Sequence, residues 1–280
     1  MTEWDAWIGR SETARDVATT TLITRFRATI NSSETGPIAP QGIHWCLCVP
    51  DAATAELDID GHPKRGGFFP PIHLPRRMWA SSKVQFHAAI HTGMTVTRHS
   101  TISNITQKEG NSGHLIFVTI DHIWSAEGGY LVTEQQSLVY RGATITPIAR
   151  PETSAVQIDP TCWHRSIVPN EEMLFRFSAI TFNSHRIHYD APYAMNVEGY
   201  PGLVVHGPLL ASLMLDLAAQ NIGLNILKSF EFRGLSPAFS GDPLHIIGQQ
   251  TGDNVTLNIL GNDGRAVMEA KALISDGTTY

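Results

Sequence analysis

From Pro208 to Ala219 the chain reads Pro-Leu-Leu-Ala-Ser-Leu-Met-Leu-Asp-Leu-Ala-Ala, apolar on almost every side of a helix. A surface helix keeps a polar face, so one without it has to be enclosed. The run is too short to span a bilayer. Its wrapping must therefore be protein, and a curved sheet around a central helix meets the need. Pro208 suits the first helical position, where a missing N–H costs nothing. Gly207 suits the cap, where it lets a ligand come close to the backbone.

The strands to do the wrapping are legible, and they come twice. Met94–Ile102 alternates, His114–Ile120 is a β-branched run, and Gly129–Tyr140 is long and mixed. Ala126-Glu-Gly-Gly129 is a hairpin signal between the last two. Later, Lys228–Arg233 alternates and Leu244–Gln249 reads as a strand. Val255–Leu260 and Ala266–Ile274 then pair across Gly261-Asn-Asp-Gly264. Ala89–Met94 lines up with Ala238–Pro243, each introducing a strand. The expected architecture is α+β, a diverged tandem repeat over 1–147 and 161–280. The Pro-bearing polar segment 148–160 joins them. In the first half we expect a polar opening helix over Ser11–Ala28. A central helix there would be reduced to what remains in Leu74–Trp79.

Composition narrows the partners. A net charge of −6 offers no footprint for nucleic acid or an anionic membrane. No apolar run has the length of a membrane span, and the opening Met1-Thr-Glu-Trp-Asp lacks the basic start of a signal peptide. Three cysteines, two of them Cys46 and Cys48, suit a reducing compartment better than a disulfide framework. A cytoplasmic protein is expected.

The candidate chemistry lies just before the enclosed helix, in Phe177-Ser-Ala-Ile-Thr-Phe-Asn-Ser-His-Arg-Ile-His-Tyr-Asp190 and Gly202-Leu-Val-Val-His-Gly-Pro-Leu-Leu210. His188 can move a proton, and unpaired amides at the helix start, Gly207 first, can hold an oxyanion. Asn183 cannot be a base, because an amide does not accept a proton; it can orient a water or a thioester. His185, three residues before His188, is a further candidate for the same pocket. Asp190 and Tyr189 read as structural. The pairs His185-x-x-His188-x-Asp190 and His87-x-x-x-His91 have metal-ligand spacing. Thirteen histidines produce such spacings by chance, so no metal is expected. Arg76, Arg77 and Lys83 form a basic group, with Arg233 in the corresponding strand of the second half. The arginines are candidates for a substrate carboxylate or for phosphates.

The stretch resembles the MaoC-like enoyl-thioester hydratases and dehydratases, which have the hotdog fold. Their pattern of Asp, Asn two residues on, His three further, then His-Gly before the helix falls here on Asn183, His185, His188 and His206-Gly207. The two departures look like the branch of hydroxyacyl-thioester dehydratases and mesaconyl-C4-CoA or itaconyl-CoA hydratases. Trp7-Ile-Gly-Arg10, Phe68-Phe-Pro70 and Leu74-Pro-Arg-Arg-Met-Trp79 extend the likeness. The resemblance implies a double hotdog whose second repeat is catalytic, with a degenerate first repeat shaping the acyl pocket. His206 joins the substrate-binding candidates on that basis. It also implies an acyl-CoA thioester as substrate, with coenzyme A part of that substrate and no separate cofactor. The reaction would be reversible hydration of a short, branched dicarboxylic enoyl-CoA, mesaconyl-C4-CoA or itaconyl-CoA, by a monomer or a homodimer. Three competing readings are a fatty-acid dehydratase, a thioesterase using Asp216, and an acyl-CoA-binding subunit without turnover.

Overall fold

A computed structural model describes residues 3–110, 113–143, 148–150, 152 and 154–275. Its ten strands make one antiparallel sheet. The first half holds β1 (Ser11–Val17), α1 (Thr20–Ile30), β2 (Arg76–Phe86), β3 (Thr95–Gly110), β4 (Gly113–Ala126) and β5 (Gly129–Arg141). The second holds β6 (Trp163–Ile167), α2 (Glu171–Ile180), α3 (Ala191–Asn196), α4 (Gly207–Ile222), β7 (Leu227–Gly234), β8 (Leu244–Thr251), β9 (Asn254–Gly261) and β10 (Ala266–Ile274). The spatial order β1-β3-β4-β5-β2-β7-β10-β9-β8-β6 reads the same from either edge. The halves meet at β2 and β7, where Ser81–Gln85 pair with Arg233–Ser229. This is the double hotdog.

The likeness of the halves reaches single hydrogen bonds. Gly93 and Gly241, with φ of 85° and 83°, turn the chain into β3 and β8. Ala39 N–H donates to Ile90 O at 2.8 Å, and Val205 N–H donates to Ala238 O at 2.8 Å. Isolated bridges Ile38–His91 and Val204–Phe239 accompany them. Pro40–Gly42 therefore corresponds to the start of α4. Where α4 runs 16 residues, the first half has only a 3-10 turn, Ile43–Cys46.

Two expectations for the first half are corrected here. Leu74–Trp79 holds no helix, since β2 begins at Arg76. The opening segment is a strand before it is a helix. Ser11–Val17 alternates in exposure and pairs with β3 at the sheet edge, where polar residues face water on one side. The helix starts only at Thr20, capped by the Thr19 hydroxyl accepting Leu22 N–H at 3.1 Å.

Every residue from Leu209 to Ala218 in α4 is buried. Each large apolar side chain so enclosed contributes about 1.5–3 kcal/mol. Its two polar members there find partners within the fold: Ser212 donates to Pro208 O at 2.7 Å, and Asp216 pairs through Oδ2 with Arg165 of β6. The described residues of 148–160 form no helix or strand. Residue 147 and Pro151 lie outside the described residues. No helix among those described is long and apolar enough to cross a membrane.

Candidate active site

The loop after α2 is held by its own backbone and side chains. Phe182 takes a left-handed φ of 47°, which swings the chain away from the helix axis. Asn183 N–H then donates to Ser178 O at 2.9 Å, and Asn183 Oδ1 accepts His185 N–H at 3.0 Å. That second bond is the short-range turn that Asn favours. A 3-10 turn over Arg186–His188 follows. Asp190 caps α3 by accepting Tyr193 N–H and also pairs with Arg186, which makes it structural, as expected.

Four imidazoles gather beside the start of α4. The rings of His188 and His206 stack with centroids 3.6 Å apart. His185 meets His188 edge-on at 5.4 Å and lies 4.0 Å from His62. His188 Nδ1 is 2.7 Å from Val204 O, a carbonyl that can only accept, so Nδ1 carries the proton. Its Nε2 lone pair has no protein partner among the described residues. His206 is 1% exposed, and its Nε2 meets the Ser178 hydroxyl at 2.8 Å. It forms the wall behind His188 rather than a surface a substrate would touch. Since His206 is the residue before Gly207, this stack fixes His188 next to the helix start.

Burial is the dominant influence on these rings. It lowers His188 to about 4, against the Val204 hydrogen bond, which raises it. His185 and His206 are pushed well below the usual histidine range by burial first and by neighbouring imidazoles second. These shifts favour the uncharged form of all three rings at neutral pH. Gly207 opens α4 with an N–H that has no intrahelical acceptor. A Cβ placed on it would meet nothing within 4 Å, so the space beside its Cα is open.

His62 belongs to the first half and escaped the sequence reading. The loop Leu57–Pro63 closes on itself, with Asp58 N–H donating to His62 O at 2.7 Å. Asp60 accepts both His62 N–H, at 2.9 Å, and the ring Nδ1, at 3.0 Å. Burial opposes the Asp60 charge, but its bonds to His62 outweigh that and lower its pKa. The loop is clamped to the second half: Asp60 O accepts Arg186 N–H at 2.9 Å and Gly61 O accepts the Ser184 hydroxyl at 2.6 Å. Asp-Gly-His-Pro is a turn signal, yet nothing local shows that it faces a loop about 125 positions later. Gly61 has a φ of 89°, and a Cβ on it would lie 1.9 Å from Ser184 O. Gly61→Ala is expected to cost about 1–3 kcal/mol or more, read as a lower melting temperature. An unchanged melt would show that the clamp is dispensable.

Asp60, His62 and His185 bring ligand-type atoms within 4.8 Å of one another. Two imidazoles on one tetrahedral zinc keep their centroids about 5 Å apart. The 4.0 Å contact of His62 with His185 is a tilted ring-on-ring contact, closer than that, and Asp60 already takes the His62 Nδ1 proton. His87 is exposed and bonds to Thr133, away from this cluster.

The arginines separate into three kinds. Arg76 is buried against Glu198, with Nε 2.9 Å from Oε2, and so is not available to a phosphate. Arg233 points to the outer face, because Phe230 and Phe232 of the same strand point in. There it pairs with Glu269 at 2.9 Å. Both substrate-binding assignments are therefore corrected. Arg77 is different: its guanidinium lies 5.0 Å over the Phe69 ring, and its charge opposes protonation of both His62 and His185. No carboxylate pairs with it among the described residues.

The model of the family described as hydroxyacyl-thioester dehydratase type 2 matches residues 42–240. The chain belongs to this family. It is 40% identical over 276 residues to a mesaconyl-C(4)-CoA hydratase of Chloroflexus aurantiacus, with 96% of both chains covered. Among solved structures it resembles a MaoC-like dehydratase, with a TM-score of 0.73, 13% identity and 96% and 99% of the two chains covered. A Mycobacterium tuberculosis protein described as having a double hotdog fold matches with a TM-score of 0.58 and 12% identity, over 95% and 96%. Members of the dehydratase type 2 family are hydro-lyases, and this chain is an enzyme of that class.

Proposed function

We propose that the chain hydrates a short dicarboxylic enoyl-CoA, with mesaconyl-C4-CoA as the substrate its relative suggests and itaconyl-CoA as the second choice. The observation that carries this is the neutral His188, with Nε2 free, stacked on the residue that precedes the helix-start amide of Gly207. The thioester oxygen takes the Gly207 N–H, polarising the double bond. A water held at His188 Nε2 gives up a proton and adds at the β-carbon as charge moves onto the oxygen. The α-carbon is then protonated. Asn183 spends its carbonyl on the loop, leaving its NH₂ to steady the water. His185 lines the same space. The first repeat, 1–147, shapes the acyl pocket, and the second, 161–280, carries the helix and its loop. The enzyme works in the cytoplasm, as a monomer or homodimer, and needs no cofactor beyond the coenzyme A of its substrate.

Arg77 beside this cluster gives a reason to prefer a second carboxylate on the acyl group. The test is a panel of crotonyl-, longer straight-chain, mesaconyl-C4- and itaconyl-CoA, following loss of the enoyl-thioester absorbance. The dicarboxylic esters are expected to react fastest. Arg77→Gln should raise KM for them by about 10-fold to 100-fold, with crotonyl-CoA unaffected. An equal loss on crotonyl-CoA would assign Arg77 to the coenzyme A phosphates instead. No hydration of any ester would end the reading. The competing thioesterase reading depends on Asp216, which is engaged by Arg165 and Gln220 inside the fold.

A further inference from the structure

A proton taken up by His188 has no counter-charge. The ring is buried, its Nδ1 faces a backbone carbonyl, and its nearest neighbour is the stacked ring of His206. His62 is built differently. Its Nδ1 donates to the Asp60 carboxylate, its side chain is the more exposed at 20%, and its Nε2 has no protein partner among the described residues. The same loop is pinned to the turn that carries His185 and His188.

We propose that the Asp60–His62 pair, supplied by the first repeat, is the general base and acid of the hydration, acting on the same water that His188 holds. This rests on the hydratase reading above. The water gives one O–H as a hydrogen bond to His188 Nε2 and transfers the other proton to His62 Nε2. As that O–H bond breaks, the oxygen bonds to the β-carbon and the π electrons move through the α-carbon onto the thioester oxygen at Gly207. The enolate then collapses, and the proton returns from His62 Nε2 to the α-carbon. The pair ends as it began, neutral imidazole beside carboxylate.

Asp60 is a positioning residue: it fixes the His62 tautomer so that Nε2 presents a lone pair, and it stabilises the imidazolium while it exists. Asp60 favours the protonated ring, whereas burial, Arg77 and Arg65 oppose it. These groups keep the resting ring neutral. Asn183, which cannot take a proton, leaves this task open in its own loop.

Steady-state kinetics on the best enoyl-CoA would be run for wild type, His62→Gln, His62→Ala and Asp60→Asn, with binding of methylsuccinyl-CoA as the unreactive saturated probe. His62→Gln is expected to lose about 100-fold to 10,000-fold in kcat, with probe binding and melting temperature close to wild type. Asp60→Asn keeps the shape of the pair and should lose about 10-fold to 100-fold in kcat, with KM little changed. Added imidazole should restore part of the activity of His62→Ala. His62→Gln working within threefold of wild type would overturn the proposal while leaving the hydratase reading intact. So would joint loss of kcat and probe binding with no imidazole rescue, which marks a structural part. A wild type inert on every ester would remove the hydratase reading itself, and this proposal with it.

Discussion

His188→Ala should hydrate its best enoyl-CoA at least about 1,000-fold more slowly than wild type while still binding the saturated thioester. The ring is held by Val204 on one side and by His206 on the other, so the substitution removes both the free Nε2 and the geometry that aims it. Loss of a positioned group that acts directly on the reacting water is worth about 10²–10⁴ in rate. Slow release of coenzyme A in place of hydration would point to a thioesterase, and Asp216→Ala separates the two. That change strands Arg165 and is expected to lower stability by about 3–5 kcal/mol. A variant with normal hydration at His188→Ala would leave Gly207 as an amide with no acid–base partner in its own repeat.

Acid should unfold this protein at unusually mild pH. His62, His122 and His188 are lowered to about 4, in each case by burial first, and His185 and His206 lie well below the ordinary value. Between pH 6.5 and about 4 the unfolded chain binds protons at these five positions and the folded chain does not. Stability therefore is full above pH 6.5 and falls as pH falls through this window. Each ring costs up to about 1.4 kcal/mol per pH unit. Acting together they remove several kcal/mol per unit, against a usual total of about 5–15 kcal/mol. Asp60 and Glu134, both lowered, add losses in the same direction at more acid pH. The melting temperature should be level above pH 7 and drop steeply from 6.5 to 5. A level melt across that range would mean that water reaches these rings.

How far the sequence reveals this molecule depends on how local each determinant is. The enclosed α4 was legible because ten successive buried positions leave no polar face. The hairpins β4–β5 and β9–β10 followed from alternation ending at glycine turns. β1 reads as helix from sequence because its alternating residues are polar on both faces, as an edge strand permits. Arg233 was recoverable in principle: Phe230 and Phe232 set the inward parity of β7, and the residue after them faces out. Arg76 was not, since its partner Glu198 comes from a turn of the other half. The same holds for Asp60 and His62. Their loop announces a turn, whereas its partner surface at Ser184–Arg186 is set by tertiary folding alone.

The mirror order of the sheet has a consequence for how the enzyme behaves on dilution. A pocket assembled from two separate polypeptides exists only while they stay associated, so its occupancy follows mass action. Here the β2–β7 seam and the junction of Asp60–Gly61 with Ser184–Arg186 are formed within one covalent chain. Each half is the other's tethered partner, at an effective concentration that no dilution changes. The meeting of the two halves is thereby uncoupled from protein abundance, down to the scarcest level at which a cell makes the chain.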